Sequence, residues 1–142
     1  MTSQITHPLD PLSVDEMQQA IALIRASQQF GAKMRFVALH LAEPAKEIVL
    51  THEAGQPIAR QAEAILLDNA DGATYEVLVG LGQGTVAFKY VAGVQPALLW
   101  DEIEECEALV RADPQVRAAL QKRGITKMEW VQVDPAAPGY YG

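Results

Sequence analysis

Two rhythms of apolar residues alternate along this chain. Val14, Met17, Ile21 and Ile24 recur at spacings of three and four, the stripe that one face of a helix presents. Ser13 precedes them and Glu16 follows it by three, the spacing of a capping box. Asp15 and Glu16 also suit the positive end of the helix dipole. Gly31 is placed to close this helix in a left-handed turn.

The period then falls to two. Met34–Glu43 reads as a strand, with Val37, Leu39 and Leu41 on one face and Phe36, Ala38 and His40 on the other. Pro44 ends it or marks a sheet edge. "EIVLTHEAG" is a weaker strand candidate, and the segment from Ile58 to Gly93 reads as two hairpins in series. Their turns are Asn69–Gly72 and Gly82–Gly84, where glycine permits positive φ. Strands joined by such short loops are antiparallel. One helix laid on a meander of about four strands buries both apolar surfaces, an α+β arrangement over residues 13–93 behind a polar lead-in, residues 1–12.

Residues 94–100 read as a linker, and the helical rhythm returns at Asp101. Asp101 is the expected cap, with Glu104 at the capping-box position. Ile103, Cys106, Leu109 and Val110 form the stripe. Asp113-Pro114 ends this helix and starts another, because the residue before proline avoids the α region while proline fits the first helical turn. Val116, Ala119 and Leu120 are expected to face inward, with Gly124 closing the helix. "MEWVQVDP" reads as a short strand. Residues 101–142 thus make two short helices and one strand, near the size below which a core rarely sustains itself. The expectation is a second α+β unit that is truncated.

Composition changes this picture little. The 142 residues are 49% hydrophobic and 20% charged, which predicts a folded core. A formal net charge of -7 argues against nucleic acid and anionic membrane surfaces as partners. No apolar run approaches the roughly 18 residues needed to span a bilayer. The N-terminus lacks the basic segment and apolar core of a secretory signal, so a cytoplasmic location is expected. Cys106 is the only cysteine; its acidic neighbours disfavour the thiolate, and a buried structural role is expected.

Candidate chemistry is sparse. His7, His40 and His52 are scattered, without the spacing that converges on a metal, and read as isolated structural or surface residues. The acids of "DEIEECE" spread around a solvated helix face. "GLGQG" precedes a strand-like segment rather than a helix, so it reads as a hairpin turn and not a phosphate loop. Tyr75, Tyr90, Tyr140 and Tyr141 have no activating group nearby in sequence. No catalytic, cofactor-binding or metal-binding residue is assigned.

The order of motifs carries more than any one of them. "HPLDPLSVDEM", "RFVALHLAEPAKEIVL", the Asp71-Gly72 hairpin, "VAGVQP" and "DEIEECEALVRADPQVRAALQKRGI" together resemble the N-terminal cystatin-like domains of copper-containing amine oxidases: the N2 domain and the start of N3. The resemblance implies a cystatin-like domain at 13–93 and the opening of a second at 101–142, with the paired tyrosines of "APGYYG" in a loop of the latter. Family enzymes convert a primary amine, oxygen and water to an aldehyde, ammonia and hydrogen peroxide, using copper and topaquinone. Their quinone tyrosine lies in Asn-Tyr-Asp/Glu and two copper histidines in His-x-His. Neither motif occurs here, so no copper or quinone residue transfers to this chain. The expected role is therefore an accessory, non-catalytic region. Its partner is the oxidase catalytic domain, in a possible homodimer. The competing readings are a free-standing cystatin-like binding module and an independent enzyme. A protease-inhibitor role is weaker, since "VAGVQP" is a domain exit and not an inhibitory Gln-x-Val-x-Gly hairpin.

Overall fold

The computed structural model describes residues 5–136. The chain divides into two compact units, Met1–Pro96 and Ala97–Gly142.

In the first unit, helix α1 (Val14–Ala26) begins where the sequence directs. Ser13 Oγ accepts from the Glu16 N–H at 3.2 Å, and the Glu16 carboxylate accepts from the Ser13 N–H at 2.8 Å. The helix ends at Ser27 in an extended conformation, not at Gly31, which does not adopt positive φ. The buried stripe is also turned from the expected one. Val14 is 63% exposed, while Ala20 and Ile24 are fully buried and Leu23 packs beside them. Alanine carries too little apolar area to announce itself in a periodicity.

Four antiparallel strands follow in sheet order β1-β2-β3-β4: Met34–Leu41, Gln61–Asp68, Ala73–Gly80 and Thr85–Val91. The pairing of β1 with β2 shifts between Phe36 and Ala38, inserting Val37 as a bulge. The bulge overturns the simple alternation expected for β1. Phe36 stands opposite Leu66 and Leu39 opposite Ala64, so both share the core face, while Ala38 and His40 face outward with Ile65 and Glu63. The core is closed by Ala62, Ala64 and Leu66 of β2, Val77 and Val79 of β3, and Ala20 and Ile24 of α1. Each larger side chain among them contributes roughly 1.5–3 kcal/mol on burial. The first hairpin turns through Gly72 at φ +78, with its N–H on the Asp68 carbonyl at 2.8 Å.

"EIVLTHEAG" is not a strand. Lys46–Leu50 forms a single-turn helix, α2, with no buried residue. The inner edge of β1 is already taken by β2, and the local bonds from Val49 N to Ala45 O and from Thr51 N to Glu47 O satisfy the backbone instead.

In the second unit, α3 (Trp100–Ala112) starts two residues earlier than expected. Leu99 is the cap, and its N–H donates to Glu102 at 2.7 Å, so Asp101 and Glu104 do not form the capping box. Asp113 caps α4 (Pro114–Gln121), accepting from the N–H groups of Gln115 and Val116. Gly124 at φ +81 closes it, with Ile125 N on Leu120 O and Gly124 N on Gln121 O, a Schellman arrangement. Cys106 is half-buried rather than buried. Leu109 is 65% exposed, and Ala119 is exposed too. "MEWVQVDP" holds a 3-10 turn at Met128–Trp130 in place of a strand. No strand occurs among the described residues of this unit for it to pair with. Its carbonyl at Val131 instead accepts from Arg111 Nε at 2.9 Å.

Candidate functional site

The densest polar constellation among the described residues lies where residues 5–12 meet the start of α1 and the residue before β2. Asp10 organises the lead-in. Its carboxylate accepts from the N–H groups of Thr6 (2.7 Å) and His7 (2.8 Å), and its own N–H donates to the His7 carbonyl at 3.0 Å. Those two backbone donors, chiefly Thr6, hold the Asp10 carboxyl below its ordinary pKa. Pro8, inside this turn, is fully buried.

Arg60 ties the turn down. Its Nε donates to Glu16 Oε1 at 2.9 Å and one terminal nitrogen to Glu16 Oε2 at 3.2 Å. The remaining donors reach the carbonyls of Asp10 (2.7 Å), Pro11 (3.0 Å) and Pro8 (3.3 Å). The Arg60 and Glu16 side chains are only 7% and 14% exposed, so the pair is largely withdrawn from water. Burial alone would push the Glu16 carboxyl up. The hydrogen bonds from Arg60 and from the Ser13 N–H and hydroxyl, with the guanidinium charge, hold it below its ordinary value instead.

A cleft of about 490 Å³ borders this pair, lined also by Gln19, Leu81 and Gly82. Its polar groups are engaged: Gln19 donates to the Leu81 carbonyl at 2.8 Å, and both Glu16 oxygens accept bonds. A second hollow of about 420 Å³ lies beside Tyr75 and Tyr90, whose rings are 5.7 Å apart. Neither presents a base beside a nucleophile. The chemistry of the Arg60 cluster is therefore fastening, not proton transfer.

The structure brings two of the three histidines together. His7 and His52 meet edge to face with ring centroids 5.8 Å apart. His7 Nδ1 accepts from the Leu9 N–H, and His52 Nε2 lies 3.3 Å from the Thr6 carbonyl. His40 stands apart on the outer sheet face, 3.1 Å from Glu63. Also on that face, a short bond to Glu76 raises the Lys89 pKa. The described residues do not fit a copper ion. No three histidine, cysteine or carboxylate side chains converge among them, and each member of the His7–His52 pair already has a ring nitrogen bonded to backbone. "GLGQG" is the turn between β3 and β4, with Gly84 N on the Gly80 carbonyl at 2.8 Å. Tyr140 and Tyr141 lie outside the described residues. Sequence reasoning missed Arg60 and Asp10. Arg60 gives no periodic signal; Asp10 three residues after His7 was the one available cue, since aspartate caps local turns.

Comparison with known proteins explains the fold without adding a catalytic group. Residues 14–89 match the AGAO-like N2 domain. The chain is 40% identical over 140 residues to a primary amine oxidase of Arthrobacter sp. (strain P1), covering 97% of this chain and 21% of that enzyme. It is 30% identical over 175 residues to the peroxisomal N-methylputrescine oxidase 1 of Nicotiana tabacum, covering 98% of this chain and 22% of that protein. Among solved structures, a copper-containing benzylamine oxidase from Hansenula polymorpha superposes with a TM-score of 0.65 at 26% identity, over 82% of this chain and 19% of the other. The chain thus spans about a fifth of the length of the curated relatives it matches. An α-helix on a four-stranded antiparallel meander, matched over residues 14–89, places the chain in the copper amine oxidase family, as its AGAO-like N2 domain region.

Proposed function

We propose that the chain is the accessory N-terminal region of a copper- and topaquinone-dependent primary amine oxidase, and that it does not catalyse amine oxidation by itself. The observation that carries this reading is colinearity. The similarity runs through 97% of this chain and only 21% of the Arthrobacter enzyme, and the polar groups assembled here fasten backbone rather than face a reacting centre. In this reading residues 101–142 open a second cystatin-like domain, and the partner is the catalytic domain, within a homodimer. The parent reaction consumes a primary amine, oxygen and water and yields aldehyde, ammonia and peroxide; copper and quinone would be held by that partner.

The test has two arms. The tagged 142-residue chain is mixed with the remainder of a related copper amine oxidase from which the N-terminal region has been deleted, and binding is measured. The chain alone is incubated with copper(II), oxygen and a primary amine, and peroxide is assayed. Stoichiometric association without peroxide from the chain alone supports the proposal. Sustained peroxide turnover by the chain alone overturns it.

A further inference from the structure

The Arg60 cluster is not required by the accessory role, and it has a property of its own. Residues 5–12 form no strand or helix. Within them Pro8 is the one buried side chain, and Leu12 packs partly against the core. What holds the segment is a small set of charged groups: Asp10 within it, Glu16 at the first turn of α1, and Arg60 before β2. His7 and His52 are the other titratable side chains at this place, meeting edge to face on its outer side. All five Arg60 N–H groups are engaged, three contacts going to lead-in carbonyls and two to Glu16.

We propose that residues 5–12 are a strap latched by the Arg60 guanidinium, and that acid opens this strap as a unit while the sheet beneath stays folded. Protonating Glu16 removes the counter-charge that positions the guanidinium. Protonating Asp10 removes the acceptor for the Thr6 and His7 N–H groups. Both carboxyls sit below their ordinary values when folded. Their contribution is therefore complete above the unfolded-state pKa of about 4 and is lost as pH falls through the lower folded-state values. The sheet has no such dependence in its core, which is apolar. Segments with few buried contacts open locally at lower free energy than core strands.

The experiment is amide hydrogen exchange on the whole 142-residue chain from neutral pH downward, corrected for the intrinsic exchange rate. Protection at Thr6, His7 and Asp10 should fall by at least about tenfold across the acid window, with β2 and β3 amides unchanged within about twofold. Arg60→Gln should produce the same loss at neutral pH. Glu16→Gln should loosen the strap at neutral pH and shrink the acid-dependent step, which keeps the test open if the Arg60 variant does not fold. Simultaneous loss of strap and sheet protection would overturn the proposal. So would strap protection indifferent to pH, or retained in Glu16→Gln.

Discussion

Leu66→Ala tests the core from which the first unit is built. Leu66 is fully buried, opposite Phe36 on β1 and Tyr75 on β3. Its neighbours come from both layers, since Ile24 of α1 and Val77 of β3 belong to the same cluster. Truncation removes three carbons, and at about 0.8 kcal/mol each the transfer loss is about 2.4 kcal/mol. The sheet register holds Leu66 between two strands, so the walls cannot close fully. A residual void of roughly 60 Å³ at about 24 cal/mol per Å³ adds about 1.4 kcal/mol. The expected cost is therefore about 4 kcal/mol, a large share of the 5–15 kcal/mol typical of a folded domain. Urea unfolding followed by far-UV circular dichroism measures it, with β3 amide exchange as a local probe. Leu50→Ala is the control: Leu50 is 72% exposed on α2, and its loss should stay within about 0.5 kcal/mol. A Leu66→Ala cost below about 1 kcal/mol, or a control effect as large, would refute the assignment of the core.

Gly72→Ala should destabilise the first unit by about 1–2 kcal/mol in urea unfolding, because φ is +78 there with no steric obstacle to share the blame. Gly31→Ala should be tolerated by the same measure, since that residue keeps negative φ. Asp113→Ala should cost α4 about 1 kcal/mol through the lost cap to Gln115 and Val116, read as faster exchange of the α4 amides. Amides of α3 and α4 should exchange faster than those of β2 and β3, because neither helix has a buried residue; equal protection in the two units would contradict this.

How much of this was legible depended on whether a signal was local. The Ser13–Glu16 box, the Asn69–Gly72 turn, the helix break at Asp113-Pro114 and the Gly124 stop are each written in adjacent residues, and each appears where the sequence puts it. The errors required knowledge of neighbours. A bulge at Val37 switched the faces of β1 halfway along, which no alternation pattern can announce. "EIVL" has strand composition, but local bonds from Val49 N to Ala45 O and from Thr51 N to Glu47 O close it into a single turn that pairs with no strand. Trp100 precedes the acid expected to cap α3, yet Glu102 reaches back to Leu99 and moves the start. The polar cluster was the least legible feature. Arg60 lies 44 residues from Glu16 and about 50 from the carbonyls it binds, so only the fold assembles it.

The two units are specified by different means. Every buried apolar side chain among the described residues belongs to the first unit, where burial and register reinforce the local signals. The second unit has well-defined ends to its helices and a firm tie from Arg111 to the Val131 carbonyl, but these are contributions of about 1 kcal/mol each. They fix which residues are helical without burying the faces they create. Trp100, Leu109 and Trp130 each remain well over half exposed. Indole rings left in water at that level are unusual away from contact surfaces. Helices with well-defined ends whose apolar faces stay open to water fit the proposal that this unit packs against a larger neighbour. That asymmetry supports reading the chain as a supporting element of an oxidase rather than as a free-standing binder, whose apolar surfaces would have to be reconciled with water on their own.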